Sequence, residues 1–306
     1  MRSTAIELVD RRACPVCGTP TEQIVLDLAY EVPPISDYLE RFYGGALDPV
    51  RLRGERYRLA SCASCTLTYQ VGVPDEAFLA ELYDEVLAAD PEEVRSGRGL
   101  AVRQGYAHQV EQFLVHFGRP PDEVQVLDFG AGQSPWLDMA AAWGCATTAI
   151  ELSAAKATTA SDAGHEVVTL GEIAPDRYDF INTEQVFEHL SDPLGTARAL
   201  AGALAPGGLL RISVPSGRGI DERISRGDWE APKGAIGSLN PVAPLEHLNC
   251  YQHRSLEVLA ARVGLAPFHY PVRGQLGPMA RIRPVLGAAL HAVRPPRGNM
   301  VLFRRE

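Results

Sequence analysis

The sequence predicts an α/β protein whose larger part is a mostly parallel, seven-stranded sheet with helices on both faces, preceded by a small four-cysteine module. Two observations predict this. From about residue 122, short apolar runs alternate with helix-patterned stretches, and that alternation builds parallel sheets. Ahead of it, within residues 1–75, a turn-rich chain carries two Cys-x-x-Cys pairs, CPVCG and CASC.

The elements follow in order. Residues 76–120 read as a helical connector: EAFLAELYDEVL and LAVRQGYAHQVEQFLVHFG space their apolar residues by three and four. Within residues 121–306, VQVLD (124–128), ATTAIE (146–151), EVVTL (166–170), YDFINT (178–183), GLLRISVP (208–215), PFHYPVR (267–273) and NMVLFRR (299–305) supply the strands. Between them SPWLDMAAAWG, LSAAKATTASDAG, DPLGTARALAGALAPGG and HRSLEVLAARVGL supply helices, with Gly207-Gly208 expected to end the third. The insertion 216–252 shows little periodicity and reads as a functional lid.

Composition excludes several classes. The 306 residues are 46% hydrophobic and contain no apolar run long enough to span a bilayer. The stretch from Met1 to Arg12 has no apolar core of a secretory signal, so a cytoplasmic location is expected. The net charge of -9 disfavours nucleic acid as a partner, because phosphate contacts demand a basic footprint. Arg51, Arg53, Arg56 and Arg58 form a small basic cluster, read as a solvated face.

In a reducing compartment, paired Cys-x-x-Cys motifs read as metal ligands before disulfides. Cys14, Cys17, Cys62 and Cys65 can present four thiolates to one tetrahedral Zn2+, a closed and hence structural site. Cys145 and Cys250 stand alone and are expected to be buried as small apolar residues.

VLDFGAGQSPW (126–136) is the centre of the functional reading. A strand ends at Asp128, and Gly130 and Gly132 let the chain turn sharply with its N–H groups toward a ligand. The next strand ends at Glu151, where a carboxylate can accept both hydroxyls of a ribose. Pro135 and Trp136 stand where a dinucleotide fingerprint has its third glycine, and no GK[ST] follows. A pyrophosphate is therefore not the expected ligand. S-adenosylmethionine carries none, and needs acceptors for an amine and a ribose.

The D-x-G-x-G pattern (128–132), Glu151, TEQVFEHLSDP (183–193) and APGGLLRISVP (205–215) together resemble the successive motifs of class I S-adenosylmethionine-dependent methyltransferases, whose fold is Rossmann-like. The resemblance covers roughly residues 105 to 306. It implies Asp128, Gly130 and Gly132 around the methionine moiety, Glu151 on the ribose, and Glu184 lining the cofactor through its backbone. Glu188 and His189 are read as the residues that order the turn at the helix start.

CPVCG, EVPPISDYL, CASCTLTYQ and LYDEV resemble the zinc-binding front end of deoxysugar C-methyltransferases of antibiotic biosynthesis. In that family a Glu-His pair supplies the catalytic base, which matches Glu246 and His247 in PLEHLNCYQ, and an assisting tyrosine matches Tyr83. Pro244 replaces that family's tyrosine ahead of the pair, and the cofactor loop here is GAGQ. The acceptor this implies is a small polar molecule, a sugar or natural-product intermediate such as a nucleotide-linked sugar, methylated on carbon or oxygen. Trp229, flanked by Asp228 and Glu230, offers a ring for stacking or plain packing. Two rivals stand beside this reading: a zinc-knuckle RNA methyltransferase, and a catalytically inactive adaptor on a methyltransferase fold.

Overall fold

The structure, a computed structural model, describes residues 6–45, 47–82, 99–232, 235, 237–271 and 300–306. The chain divides into two compact units, each gathered from three stretches. The first comprises residues 1–88, 185–195 and 214–262, and the second 89–184, 196–213 and 263–306. Among the described residues no helix is long and apolar enough to cross a membrane.

The strands are β1 (Leu8–Asp10), β2 (Ile24–Ala29), β3 (Arg56–Ser61), β4 (Thr68–Gln70), β5 (Gly72–Pro74), β6 (Gln125–Phe129) and β7 (Ala146–Ile150). They continue with β8 (Glu166–Val167), β9 (Tyr178–Glu184), β10 (Leu204–Ser213), β11 (Asn249–Cys250), β12 (Leu265–Phe268) and β13 (Met300–Arg305). The helices are α1 (Ile35–Tyr43), α2 (Glu76–Glu81), α3 (Leu100–Phe117) and α4 (Pro135–Ala142), then α5 (Ala154–Asp162), α6 (Pro193–Ala203), α7 (Ile220–Arg226) and α8 (His253–Ala261).

In the second unit seven strands form one sheet in the order β12-β13-β10-β9-β6-β7-β8. The pairs from β10 through β8 are parallel, and β13 alone runs against both of its neighbours. β6 lies centrally, and the strand order reverses beside it, which is where open α/β sheets bind ligands. Trp136, on α4, shows why a third glycine is not needed here. Its ring lies 5.7 Å from Phe180 at 20°, with Phe113 stacked on Phe180 at 4.6 Å, so an aromatic layer seats helix on sheet. Its indole N–H is satisfied by Gln109 Oε1 at 3.1 Å.

Three element boundaries differ from expectation. α6 ends at Ala203, ahead of Gly207-Gly208, because Leu204 already pairs with Tyr178 of β9; the pairing resumes at Leu209 and Phe180 after an irregularity. β8 is only two residues long, since the chain turns away at Thr169, whose N–H and hydroxyl both bond the Glu172 carboxylate. β12 begins at Leu265, directly after Gly264 (φ +77°) releases the chain from the end of α8.

The first unit holds a four-stranded antiparallel sheet, β11-β4-β3-β2, and a β1-β5 pair. Its core gathers Tyr30, Tyr38, Tyr57, Trp229, Ile220 and Ile224. The last two lie on α7, a helix within the segment that had been expected to lack periodicity. Two apolar residues four apart are too short a pattern to be read from sequence. Trp229 is buried and packs edge-on to Tyr38 and Tyr57, so its role in the fold is packing.

Candidate active site

In the second unit the glycine loop leaves β6 between two strand ends. Gly130 N–H and Ala131 N–H donate to Ile150 O at 2.8 and 3.2 Å, tying the loop to the end of β7. Gly132 (φ +56°) then aims its N–H at Glu151 Oε2, 2.7 Å away, while Ser153 N–H donates to Oε1 at 2.9 Å. Glu151 thus latches the loop to the turn before α5. A carboxylate has about four acceptor sites, so two ribose hydroxyls can still be received. The buried Ser134 hydroxyl, also in the loop, has no hydrogen-bond partner among the described residues.

A buried polar chain runs across the neighbouring strands. Asn182 Nδ2 donates to Asp128 Oδ1 at 2.8 Å, and Arg211 donates to Asn182 Oδ1 at 2.5 Å. The same guanidinium lies 3.2 Å from Glu184 Oε2, and the Tyr106 hydroxyl donates to Glu184 Oε1 at 3.3 Å. Burial lifts the Asp128 carboxyl to about 7; the Asn182 bond and Arg211 oppose the rise, and Glu184 and Glu151 add to it. Asp128, Gly130, Gly132, Glu151 and Glu184 therefore stand together at the carboxyl ends of β6, β7 and β9. Asn182, Arg211 and Tyr106 escaped the sequence reading. The available signal was polarity: Asn182 follows the apolar pair Phe180-Ile181, and Arg211 interrupts the apolar run from Leu209 to Ile212.

In the first unit the four cysteines converge, with all four sulfurs within 4.8 Å of one another. Cys14 Sγ lies 3.5 Å from Cys65 Sγ, and Cys17 Sγ 3.4 Å from Cys62 Sγ. Both pairs sit on turns of one design. Cys14 N–H donates to Thr19 O and Gly18 N–H to Cys14 O; in the other, Cys62 N–H donates to Leu67 O and Thr66 N–H to Cys62 O. Gly18 (φ +77°) has its counterpart in Thr66 (φ +65°), a left-handed β-branched residue that only a strongly determined turn holds. Thiolates about 2.3 Å from a tetrahedral zinc stand roughly 3.8 Å apart, so this donor set fits that ion.

The segment carrying Glu246 and His247 belongs to the same unit and is fixed from several sides. Gln70 Nε2 donates to Ala243 O (2.8 Å) and His247 O (3.0 Å), and Gln70 Oε1 accepts from Leu245 N–H. Tyr43 donates to Pro244 O at 2.8 Å and Tyr57 to Val242 O. Leu245 takes a left-handed conformation (φ +68°) that turns the next two side chains inward, where both are buried. His247 Nδ1 bonds Asn240 O, and His247 Nε2 lies 3.8 Å from Glu246 Oε1. Tyr251 donates to Phe187 O at 3.3 Å. Tyr83 lies outside the described residues.

The turn at Phe187–His189 is a short 3₁₀ element, and side chains from elsewhere in the unit hold its carbonyls. Asn249 donates to Phe187 O and Leu190 O, and Arg11 donates to Leu190 O, Ser191 O and Asn249 Oδ1. Both Glu188 oxygens are buried, and among the described residues no other residue bonds them. Burial pushes this carboxyl up to about 8, its own backbone N–H opposing the rise and Glu246 adding to it.

Each arginine of the basic cluster faces a carboxylate: Arg51 meets Glu81, Arg53 Glu31, Arg56 Asp27 and Arg58 Asp10. The cluster is a set of ion pairs and not a cationic patch.

Among curated proteins no sequence matches this chain. Several solved structures are similar to it. One is an S-adenosylmethionine-dependent methyltransferase from Mesorhizobium loti (18% identity over 63% of this chain and 96% of that one, TM-score 0.40). Another is the 1,6-didemethyltoxoflavin-N1-methyltransferase of Burkholderia thailandensis (16% identity, 81% and 95% covered, TM-score 0.44). A third is an amino pentose methyltransferase from Micromonospora echinaspora involved in calicheamicin biosynthesis (21% identity, 40% and 55% covered, TM-score 0.35). A family model described as a methyltransferase domain matches residues 100–270. That match spans more than half of the chain, which therefore belongs to the family of S-adenosylmethionine-dependent methyltransferases, built on the class I fold.

Proposed function

We propose that this enzyme methylates a small polar acceptor, a sugar or natural-product intermediate such as a nucleotide-linked sugar, in the cytoplasm. The observation that carries the reading is the pair of carboxylates, Asp128 and Glu151, at adjacent strand ends flanking the glycine loop. In this reading Asp128 receives the methionine amine, Gly130 and Gly132 admit the cofactor to the loop, Glu151 holds the ribose, and Glu184 lines the site. When bound, S-adenosylmethionine supplies an electrophilic methyl group on a sulfonium, so the protein's task is positioning and proton removal. Proton removal is assigned to the Glu246–His247 pair, with Tyr83 assisting. Because Nδ1 of His247 bonds a backbone carbonyl, Nε2 carries the lone pair. Residues 1–75 act as the zinc-binding module, with a structural zinc on Cys14, Cys17, Cys62 and Cys65. Residues 76–120 act as connector, residues 121–306 as the catalytic domain, and 216–252 as the lid on the acceptor. The paired arginines support a partner other than nucleic acid.

Calorimetric titration with S-adenosylmethionine and S-adenosylhomocysteine tests the cofactor half, and adenosylhomocysteine release over a panel of nucleotide-linked sugars tests the acceptor half. Tight binding with turnover on at least one sugar is expected. A folded protein that binds neither cofactor form would point to an adaptor.

The raised Asp128 carboxyl sets the pH dependence. A cationic amine favours the carboxylate form, so affinity is lost as pH falls through about 7. Binding at about pH 5.5 is expected to be on the order of tenfold weaker than at about pH 7.5, which is still below the titration of a free α-amine. Asp128→Asn should bind more weakly at the higher pH and lose the dependence. A parent protein whose affinity is flat across this range would remove Asp128 from contact with the amine.

A further inference from the structure

Glu188, His189 and His247 form a second cluster in the first unit, separate from the four thiols. One ligand atom from each lies within 4.8 Å of the others. His189 Nδ1 donates to Glu246 O at 2.9 Å, and His247 Nδ1 donates to Asn240 O. Imidazoles held this way carry their lone pair on Nε2, with ring orientation and tautomer already set, as the imidazoles of metal sites are. His189 Nε2 stands 3.8 Å from Glu188 Oε1, too far for a hydrogen bond. Among the described residues neither Glu188 oxygen is hydrogen-bonded by another residue, its own backbone N–H being the group that favours its charge, and its side chain is only 1% exposed. A buried carboxyl is neutral, or else paired, hydrogen-bonded or bound to metal. Here no other described residue bonds the carboxyl, and it stands beside two oriented imidazoles.

We infer that Glu188, His189 and His247 bind a divalent first-row transition ion through one carboxylate and two Nε2 atoms. Two nitrogens and one oxygen favour such an ion over magnesium or calcium, and three protein ligands leave coordination positions open. Donors about 2.1 Å from a common ion stand roughly 3 to 4 Å apart, so the triad needs only to draw in slightly. The 17% exposure of the His189 side chain gives the ion a way in. The inference rests on the methyl-transfer reading only for its use: the open positions suit an oxygen of the acceptor. With the ion bound, His247 is a ligand, and Glu246 is the member of the pair left to accept a proton.

The test is equilibrium dialysis of the full chain against Mn2+, followed by elemental counting of all metals per chain. The same measurement is made on Glu188→Gln, which keeps the side-chain shape, and on His189→Ala, with thermal melts to establish folding. Each variant is expected to hold one ion fewer per chain than the parent, whatever the thiols hold. Equal metal content in the parent and both folded variants overturns the inference. Adenosylmethionine titration of the same samples separates the two proposals. Retained cofactor binding with no second ion sinks this site alone, and a second ion without cofactor binding sinks the functional reading.

Discussion

Glu151→Ala is expected to raise the dissociation constant for S-adenosylmethionine by well over tenfold, measured by calorimetry. Two losses add. The carboxylate's charge-assisted bonds to ribose hydroxyls would go, and hydrogen bonds to charged groups contribute about 1.5–3 kcal/mol each. The bonds from Gly132 N–H and Ser153 N–H to Glu151 would go as well, freeing the glycine loop from the turn after β7. Glu151→Gln tells the two apart. Its single amide oxygen can keep one backbone bond, but it loses the charge and the second acceptor. If ribose contact dominates, glutamine should bind nearly as poorly as alanine; if the latch dominates, glutamine should recover much of the affinity. An alanine variant with unchanged affinity would end the assignment of Glu151 to the ribose.

Cys14→Ser is expected to have the largest effect on stability. Structural zinc held by four thiolates contributes on the order of 10–16 kcal/mol in small zinc peptides, which exceeds the whole stability of many domains. The damage should spread along the contacts that the cysteine turns and their neighbours make. Arg11, three residues before Cys14, holds the carbonyls of Leu190 and Ser191, and Arg262 from the end of α8 donates to Cys17 O. Loss of zinc, a sharply lower melting temperature and insoluble protein are the expected outcome, with turnover per folded molecule little changed at low temperature. Zinc analysis beside a thermal melt checks this. A variant that stays folded and zinc-loaded but no longer turns over would contradict a purely structural metal.

What sequence could reveal was whatever depends on close spacing. Cys-x-x-Cys, Gly-x-Gly and a carboxylate at a strand end carry their geometry locally, so the thiol cluster and the loop between β6 and α4 were legible in advance. Seven strands were legible too, because each is an apolar run bounded by turn residues. Gln70, Asn182 and Arg211 were not. Each acts on a partner far along the chain, and a lone polar residue in a strand does not say which partner it will meet. Glu188 shows the same limit from another side. In sequence it opens a turn beside His189, and only packing makes it a carboxyl cut off from water. The helix Ile220–Arg226 was missed for want of length, and the end of α6 was misplaced because a glycine pair is a stronger local signal than a strand partner.

The interleaving of the two units has a consequence for biosynthesis. The cysteine-bearing unit draws its last stretch from residues 214–262, and the sheet of the other unit takes its penultimate position from β13, Met300–Arg305. On the ribosome the N-terminal residues therefore wait until much of the polypeptide has emerged before their partners exist. During that interval the thiols and the aromatic residues Tyr30, Tyr38 and Tyr57 stay without Trp229 and α7. Early capture of metal by the two cysteine turns, which lie within 14–65, would give the nascent chain its first fixed point.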